Sequence, residues 1–587
     1  MMIANQDLVF LGLDISQQTT RATLFGVVDG RYRLLGQGSA QTTIGVDEHL
    51  GEGVGEAIKA LEKRCKRKLL NNNGSPIQPI RADGSGLDRI AITISAGPAL
   101  RTVVTGLTSA NSLKAGRALV ESLPLNPAAF FGMDELMDES GLVDRIVQKQ
   151  PELIVMTGGE NDGAEKPLDI WIEIIRRVLL LLEEADRPKI LYAGNPALWE
   201  LARRRLEPLT PLSLTANLLP EAERTDLLPA QAVLNRLIVD HWMAVVPGLK
   251  ELAALAENRV VCRGFGLNRM VRFLSRPASS PIGEGQPHGV MVVSLGVEST
   301  RLAVGLDGEC LSIRQCPTND SVEETRDSAI DAIWNWMPEE IARENVAHYT
   351  YRRMLNPGWV PSTQVELAFE QAYARYRLQL AGLQIFRNYS SAPFDPENGW
   401  RGHFEPIIAS GEVLDRASTP GQVMLMLLDG LQPRGVTTLV LDQFRILPLL
   451  GLLGEIFPIL PIHLLETDVF QNLGTVITAD SPAPEGEHIL TLQVIKESGG
   501  GFDVDIQQGS LRRVVIQVNE PVVLVLKPGQ DTDVGFGEPG LGGRLKVTGG
   551  TLGVVVDARS RPISMAADPS ERVAQLQRWG WTLGAGE

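Results

Sequence analysis

The sequence predicts an α/β protein of two related lobes, with an α/β region belonging to or inserted in the first lobe and an all-β module near the C-terminal end. Three observations predict it. The run Val9–Val27, "VFLGLDISQQTTRATLFGV", is a strand, a polar turn and a strand, and the same plan returns in Val290–Leu295 and Arg301–Leu306. From about residue 95, strand-length apolar runs alternate with helix-length ones across Gly-rich turns, which is the βαβ pattern of a parallel sheet. After Asp480 short β runs follow one another between Gly and Pro turns.

The elements follow in order. Leu8–Asp14 and Arg21–Val28 are the first hairpin, and Tyr32–Gln37 is a third strand after the turn "VDGR". A helix over Val54–Leu70 carries Val54, Ile58, Leu61 and Cys65 on one face and basic residues at its end, where the helix dipole favours cations. The polar stretch "NNNGSPIQPIRADGSG" is a surface loop, and Ile90–Ile94 a buried strand. Met133–Lys149, Leu168–Glu184 and Pro196–Leu206 read as helices, and Glu152–Met156 and Lys189–Tyr192 as strands. Gly283–Pro287 marks a boundary, and helices dominate from Ser321 to Phe386. In the β module the runs are Ile489–Val494, Val514–Val518, Val522–Lys527, Arg544–Val547 and Leu552–Asp557. "ADPSERVAQLQRWGW" is a helix capped by Asp568, with Pro569 at its first position and Glu571 completing a capping box. The expected domains are 1–94, the first lobe; 95–286, the α/β region; 287–480, the second lobe; 481–566, the β module; and 567–587, the helix and tail.

Composition excludes some classes. The 587 residues are too many for one core; they are 44% hydrophobic and 21% charged, as in ordinary globular proteins. With 55 Lys and Arg against 71 acids the net charge is −16, which argues against a general nucleic-acid binder. Cys65, Cys262, Cys310 and Cys316 form no CxxC pair, so free thiols in a reducing cytoplasm are expected. The first ten residues carry no secretory pattern. Ile446–Leu465 is nearly all apolar, but Glu455, Pro448, Pro458 and Pro461 interrupt it, so it reads as a buried helix followed by a short buried strand, without membrane insertion.

In the actin/Hsp70/hexokinase-like (ribonuclease H-like) fold, each of two lobes offers one hairpin turn to nucleotide phosphates, and a carboxylate at the strand end orients Mg²⁺. Asp14 with Ser16–Thr20 fits the first turn. "VVSLGVEST" supplies Gly296, Ser299 and Thr300 to the second, with Ser294 where an acid is expected. "PIIASGEVL" has the form of an adenosine-binding strand and turn, through Gly411.

"LDISQQTTRATLF", "ISAGPALRTVVTGL", "PELIVMTGGENDG", "ILYAGN", "VVSLGVESTR", "PIIASGEVL" and "NLGTVI" stand in the order found in the glutamate mutase accessory (MutL/GlmL-type) family, which the chain resembles over about residues 8–480. The resemblance implies an actin-like ATPase fold, ATP or ADP with Mg²⁺ as ligand, and a cobalamin-dependent mutase or related enzyme as client. It places Asp14 as the Mg²⁺-orienting carboxylate and best catalytic candidate. Asp14, Ser16, Thr19, Arg21, Ser294, Gly296, Ser299, Thr300 and Gly411 then hold the nucleotide. The chain departs from the family at these positions: Ser16 replaces a glycine, Arg21 a lysine, Ser294 an aspartate, Val297 a glycine and Arg301 an aspartate, and Glu412 follows Gly411. Val297 would crowd a phosphate and Glu412 would repel it, so weak binding and slow or absent hydrolysis are expected.

Other motifs carry less. "MTGGENDGAEKPLD" (Met156–Asp169) is a Gly-rich turn before a helix, but Glu160, Asp162, Glu165 and Asp169 repel an anion and read as helix-start acids. "GFGEPG" (Gly535–Gly540) matches GxGxxG yet opens no helix. His288, His348 and His463 lack metal spacing, and Trp579 and Trp581 are read as packing on the chain's own surface or anchoring a partner. Three functions are open: a nucleotide-responsive accessory chaperone, an inactive actin-like scaffold for protein partners or an assembly, and a sugar-kinase-like phosphotransferase. The last needs a base near the second turn, for which Glu298 is the only acid at hand.

Overall fold

The computed structural model describes residues 8–45, 48–134, 138–163, 165–221, 224–276, 288–315, 323–356, 358–389, 393–395, 399–400, 403–497 and 499–585. The expected boundary at Gly283–Pro287, Cys316 and the side chain of His288 lie outside them. The chain forms two compact units: unit one is 1–270 with 387–389 and 446–467, and unit two is 271–386, 390–445 and 468–587.

Unit one begins with β1 (Phe10–Ile15), β2 (Thr19–Val28), β3 (Arg31–Gln41), α1 (Leu50–Cys65) and β4 (Arg89–Ile94). The inserted region follows as β5 (Leu100–Gly106), α2 (Ser112–Glu121), β6 (Leu125–Gly132), α3 (Glu139–Gln148) and β7 (Leu153–Gly158). It continues through α4 (Lys166–Leu181), β8 (Lys189–Gly194), α5 (Trp199–Leu206) and β9 (Leu212–Leu214). Then come α6 (Leu228–Val245), α7 (Leu249–Leu255), β10 (Val260–Cys262) and α8 (Arg263–Leu274). The first sheet has the order β3-β2-β1-β4-β10, with β2 antiparallel to both neighbours and β1, β4 and β10 parallel. The inserted region is a second sheet, β6-β5-β7-β8-β9, all parallel. Its core gathers around Trp171, whose indole N–H donates to the Gly106 carbonyl at 2.9 Å.

Helix α1 lies against β3 because Leu50, Val54, Ala57, Ile58 and Leu61 make one apolar face. The approach is close enough that a Cβ on Gly38 would stand 2.2 Å from the Leu61 nitrogen. The helix stops at Cys65, short of the expected Leu70, since Lys66 turns left-handed at φ 51°.

Unit two opens with β11 (His288–Leu295), β12 (Thr300–Leu306) and β13 (Glu309–Gln315), then α9 (Glu323–Trp334), α10 (Arg343–Leu355) and α11 (Gln364–Asn388). A small pair, β14 (Phe394–Asp395) and β15 (Gly399–Trp400), precedes β16 (His403–Ser410), α12 (Glu412–Asp415), α13 (Pro420–Leu431) and β17 (Val436–Asp442). Its sheet repeats the first one's plan: β13-β12-β11-β16-β17, with β11, β16 and β17 parallel and β12 antiparallel. Strand order 3-2-1-4-5 with an antiparallel second strand, present once in each unit, is the ribonuclease H-like topology of the two-lobed actin, Hsp70 and hexokinase fold.

The apolar stretch Ile446–Leu465 departs from expectation. It forms two helices, α14 (Leu447–Ile456) and α15 (Ile459–Leu465), instead of a helix and a strand. Pro458 caps α15 and Pro461 sits in its first turn, where a missing N–H costs nothing. Both helices belong to unit one, and Leu449 fills the space above Gly12 of β1. Their apolarity is that of a sheet cover, and no described helix is long and apolar enough to cross a membrane.

The C-terminal β region is β18 (Phe470–Thr478), β19 (His488–Lys496), β20 (Gly501–Gln507), β21 (Leu511–Val514), β22 (Pro521–Pro528), β23 (Gly543–Thr548) and β24 (Val554–Asp557). Four strands make an antiparallel sheet, β20-β19-β22-β23, while β24 and β21 extend the unit-two sheet beyond β18. One core, from Val436 and Ile477 to Leu524 and Val556, joins the two sheets. The closing helix α16 (Pro569–Thr582) is capped by Asp568, whose Oδ1 accepts from Ser570 and Glu571.

Candidate functional site

The two hairpin turns correspond residue for residue in their strand pairing. Asp14 pairs with Arg21 and Ile15 with Thr20, as Ser294 pairs with Arg301 and Leu295 with Thr300. Ser16 therefore corresponds to Gly296, Gln17 to Val297, Gln18 to Glu298 and Thr19 to Ser299. Both turns close with the same bond, Ser16 N to Thr19 O and Gly296 N to Ser299 O, each 3.0 Å. In the parallel neighbours, Asp14 lies beside Thr93 and Ser294 beside Ser410.

The first turn carries a buried carboxylate. Asp14 is 1% exposed; its Oδ1 accepts from the Thr93 hydroxyl at 2.8 Å and lies 3.5 Å from Arg263 Nε. Its Oδ2 is buried with no hydrogen-bond partner. A buried carboxylate oxygen left unpaired is costly and calls for an explanation. Ser16 is used locally: its hydroxyl donates to the Thr19 carbonyl at 2.9 Å and accepts from the Thr19 N–H at 3.1 Å. Arg21, directly opposite Asp14, shares its sheet face and is 9% exposed.

The second turn is filled by the protein itself. Arg377 donates to Gly296 O at 2.8 Å and to the Thr300 hydroxyl at 2.7 Å. Arg353 donates to Val297 O at 3.3 Å, to Trp359 O at 2.8 Å and to Glu370 at 2.9 Å. The Glu412 carboxylate reaches the Val297 N–H at 3.5 Å, and Arg445 grips both Glu412 and Asp415. An anionic oxygen thus already faces a backbone N–H of this turn. Gly411 makes the geometry possible, since at φ 125° a Cβ there would stand 2.2 Å from Leu295 O. Burial pushes the Glu298 carboxyl above the usual carboxylate range, and the nearby Glu412 adds to the rise.

The remaining candidates separate from these turns. In the Met156–Asp169 loop the carbonyls of Gly159 and Gly163 accept from Asn217 at 2.7 Å and Asn195 at 3.4 Å, Asp169 is paired with Arg205, and Glu160 and Asp162 are exposed. Gly535, Gly537 and Gly540 all have positive φ in the turn between β22 and β23. The His463 ring accepts from the Tyr32 N–H at 3.1 Å, and His348 is exposed on α10. Burial raises the Cys310 thiol to about 11. Trp579 is buried under the Arg559 guanidinium at 4.5 Å, whereas Trp581 is 68% exposed. No group of metal-binding side chains occurs among the described residues.

Sequence reasoning missed Thr93, Arg263, Arg353 and Arg377. Thr93 follows once β4 is placed parallel to β1, while the arginines come from helices remote in sequence and leave no local signal.

Comparison with known proteins gives a family and some distant likenesses. No curated protein matches the chain. Among solved structures, the xylulose kinase of Bifidobacterium adolescentis is 11% identical, with 75% of this chain and 91% of that one covered at a TM-score of 0.24. A glycerol dehydratase reactivase is 10% identical over 71% and 94%, at 0.25, and the gluconate kinase of Lactobacillus acidophilus 9% over 79% and 91%, at 0.28. Likenesses this distant say nothing of what this chain binds. The family profile described as MutL protein matches residues 10–469, so the chain belongs to the MutL family.

Proposed function

We propose that the protein is a chaperone-like accessory factor that binds ATP or ADP weakly, through its first turn, and serves a cobalamin-dependent mutase or a related client. The observation that carries the nucleotide reading is the buried, unpaired Oδ2 of Asp14. A hard cation takes oxygen ligands, so Asp14 fits Mg²⁺, which when bound neutralises phosphate charge. Thr93 donates to the carboxylate, and Arg21 lies opposite it across the hairpin. The second turn fits less well, because Ser294 offers no carboxylate and Glu412 opposes an anion. Hydrolysis needs charge stabilisation on the transferred group, so turnover is slow or absent.

The client reading rests on family membership. A cobalamin-dependent mutase inactivated during turnover would be incubated with the protein, with and without Mg–ATP. Recovery that requires ATP is expected. Failure to recover under either condition overturns the reading.

The self-filled second turn favours a second reading, a catalytically inactive actin-like scaffold, and recovery without ATP would support it. Glu412→Gln separates the two further. Removing one charge at contact distance is worth about 1 kcal/mol in water, so Mg–ATP affinity should rise roughly fivefold if the second turn meets phosphate. Calorimetric titration reads it, and unchanged affinity favours the scaffold.

A further inference from the structure

The four-stranded sheet β20-β19-β22-β23 of unit two has two unlike faces. Side chains alternate along a strand, and Ile506, Leu492, Leu524 and Leu545 fill the core from one face. The other face carries Asp503 and Asp505 on β20, Ile495 on β19, Val523, Val525 and Lys527 on β22, and Arg544 and Lys546 on β23. Acids thus stand on one edge strand, and bases on and beside the opposite one. Between them Ile495, Val523 and Val525 are only half-buried. Of these charges only Asp505 is paired among the described residues, with His488 at 3.4 Å. Charges on edge strands deter edge-to-edge pairing, yet that purpose needs neither opposite signs on the two edges nor half-buried aliphatics between them.

The strand register makes the face self-complementary. Asp503, Gln493, Val525 and Arg544 form one row across the sheet, and Ile495, Val523 and Lys546 lie in the next. A two-fold axis along the strands, between β19 and β22, lays β20 of one copy over β23 of the other and β19 over β22. Asp503 then faces Arg544, Gln493 faces Val525 and Ile495 faces Val523, each contact occurring twice. Aligned sheets pack at about 10 Å, within reach of these side chains. An edge-to-edge contact would leave the aliphatic middle in water.

We propose that this sheet face binds the same face of a second copy of the chain, as a closed dimer. Four strands of about six residues span roughly 400 Å² per copy, about half of a standard interface, so the dimer is weak and depends on its charges. The contact is independent of nucleotide binding at the first turn.

Sedimentation equilibrium of the full chain, from micromolar to several hundred micromolar and at low and high salt, tests this. Reversible association that stops at the dimer and weakens with salt is expected. Arg544→Glu combined with Lys546→Glu should weaken it about tenfold or more, because like charges replace exposed pairs. Asp503→Lys combined with Asp505→Lys should do the same. The two variants mixed should pair with each other about as tightly as the parent with itself, since acids then face bases at every contact. Lys149→Glu combined with Lys250→Glu makes the same charge change in unit one and should leave dimerisation unchanged. A monomer at every concentration, growth past the dimer, failure of the mixed variants to pair, or an equal loss in the unit-one variant would each overturn the proposal.

Discussion

Asp557→Asn is expected to lower the folding stability of the protein by about 3–5 kcal/mol, the usual cost of breaking a buried ion pair from one side. Asp557 is fully buried at the end of β24, where Arg559 holds both of its oxygens and Arg561 one of them, at 2.8–2.9 Å. Arg559 also reaches Asp429 of α13 at 2.9 Å and lies over Trp579 of α16. Removing the carboxylate charge leaves the buried Arg559 with Asp429 and the buried Arg561 with backbone carbonyls alone, and loosens the joint between β24, α13 and α16. Chemical denaturation followed by tryptophan fluorescence measures the loss; a change under about 1 kcal/mol would show the network to be replaceable.

The same group fixes a pH dependence. Burial alone would raise the Asp557 pKa, but Arg559 and Arg561 outweigh it and hold the carboxyl well below the usual range. A folded-state pKa below the unfolded value of about 3.9 contributes stability that is complete at neutral pH and lost as pH falls below about 4. Asp557→Asn should therefore flatten the acid limb of the stability curve.

Arg353→Met is expected to cost about 3 kcal/mol, at the lower end of the range for such pairs because Arg416 remains 3.5 Å from Glu370. Arg353 and Glu370 are 3% and 1% exposed, and Glu370 Oε2 already lacks a partner. The substitution also frees the Val297 carbonyl, so the second turn should become susceptible to limited proteolysis while the first does not. Equal protection of both turns would separate Arg353 from the turn's rigidity.

The fold was legible where local pattern decides it. Two apolar runs around a polar turn marked β1–β2 and β11–β12, and strand–helix alternation marked the parallel sheet of the inserted region. Partnership was not legible. The strand expected at Val514–Val518 instead ends at Val514, as β21, and that expected at Leu552–Asp557 is β24; periodicity does not say which sheet a strand joins, and both extend the unit-two sheet instead of the module's own. β6, "LNPAAFFG", carries too short and mixed a pattern to stand out. The site divides the same way. Asp14, Ser294 and Glu412 follow from their places at strand ends and after a glycine. The arginines that occupy the second turn come from α10 and α11, and only the fold brings them there.

The proposed nucleotide site depends on the Asp14 carboxylate of the first turn, while the second turn is held by Arg353, Arg377 and Glu412. Calorimetric titration of Mg–ATP into the parent and an Asp14→Ala variant tests it most directly. The account predicts weak binding by the parent, with Kd of roughly 10 µM to 1 mM, and none in the variant. Equal affinity in both proteins, or no binding by the parent at millimolar ATP, would contradict it.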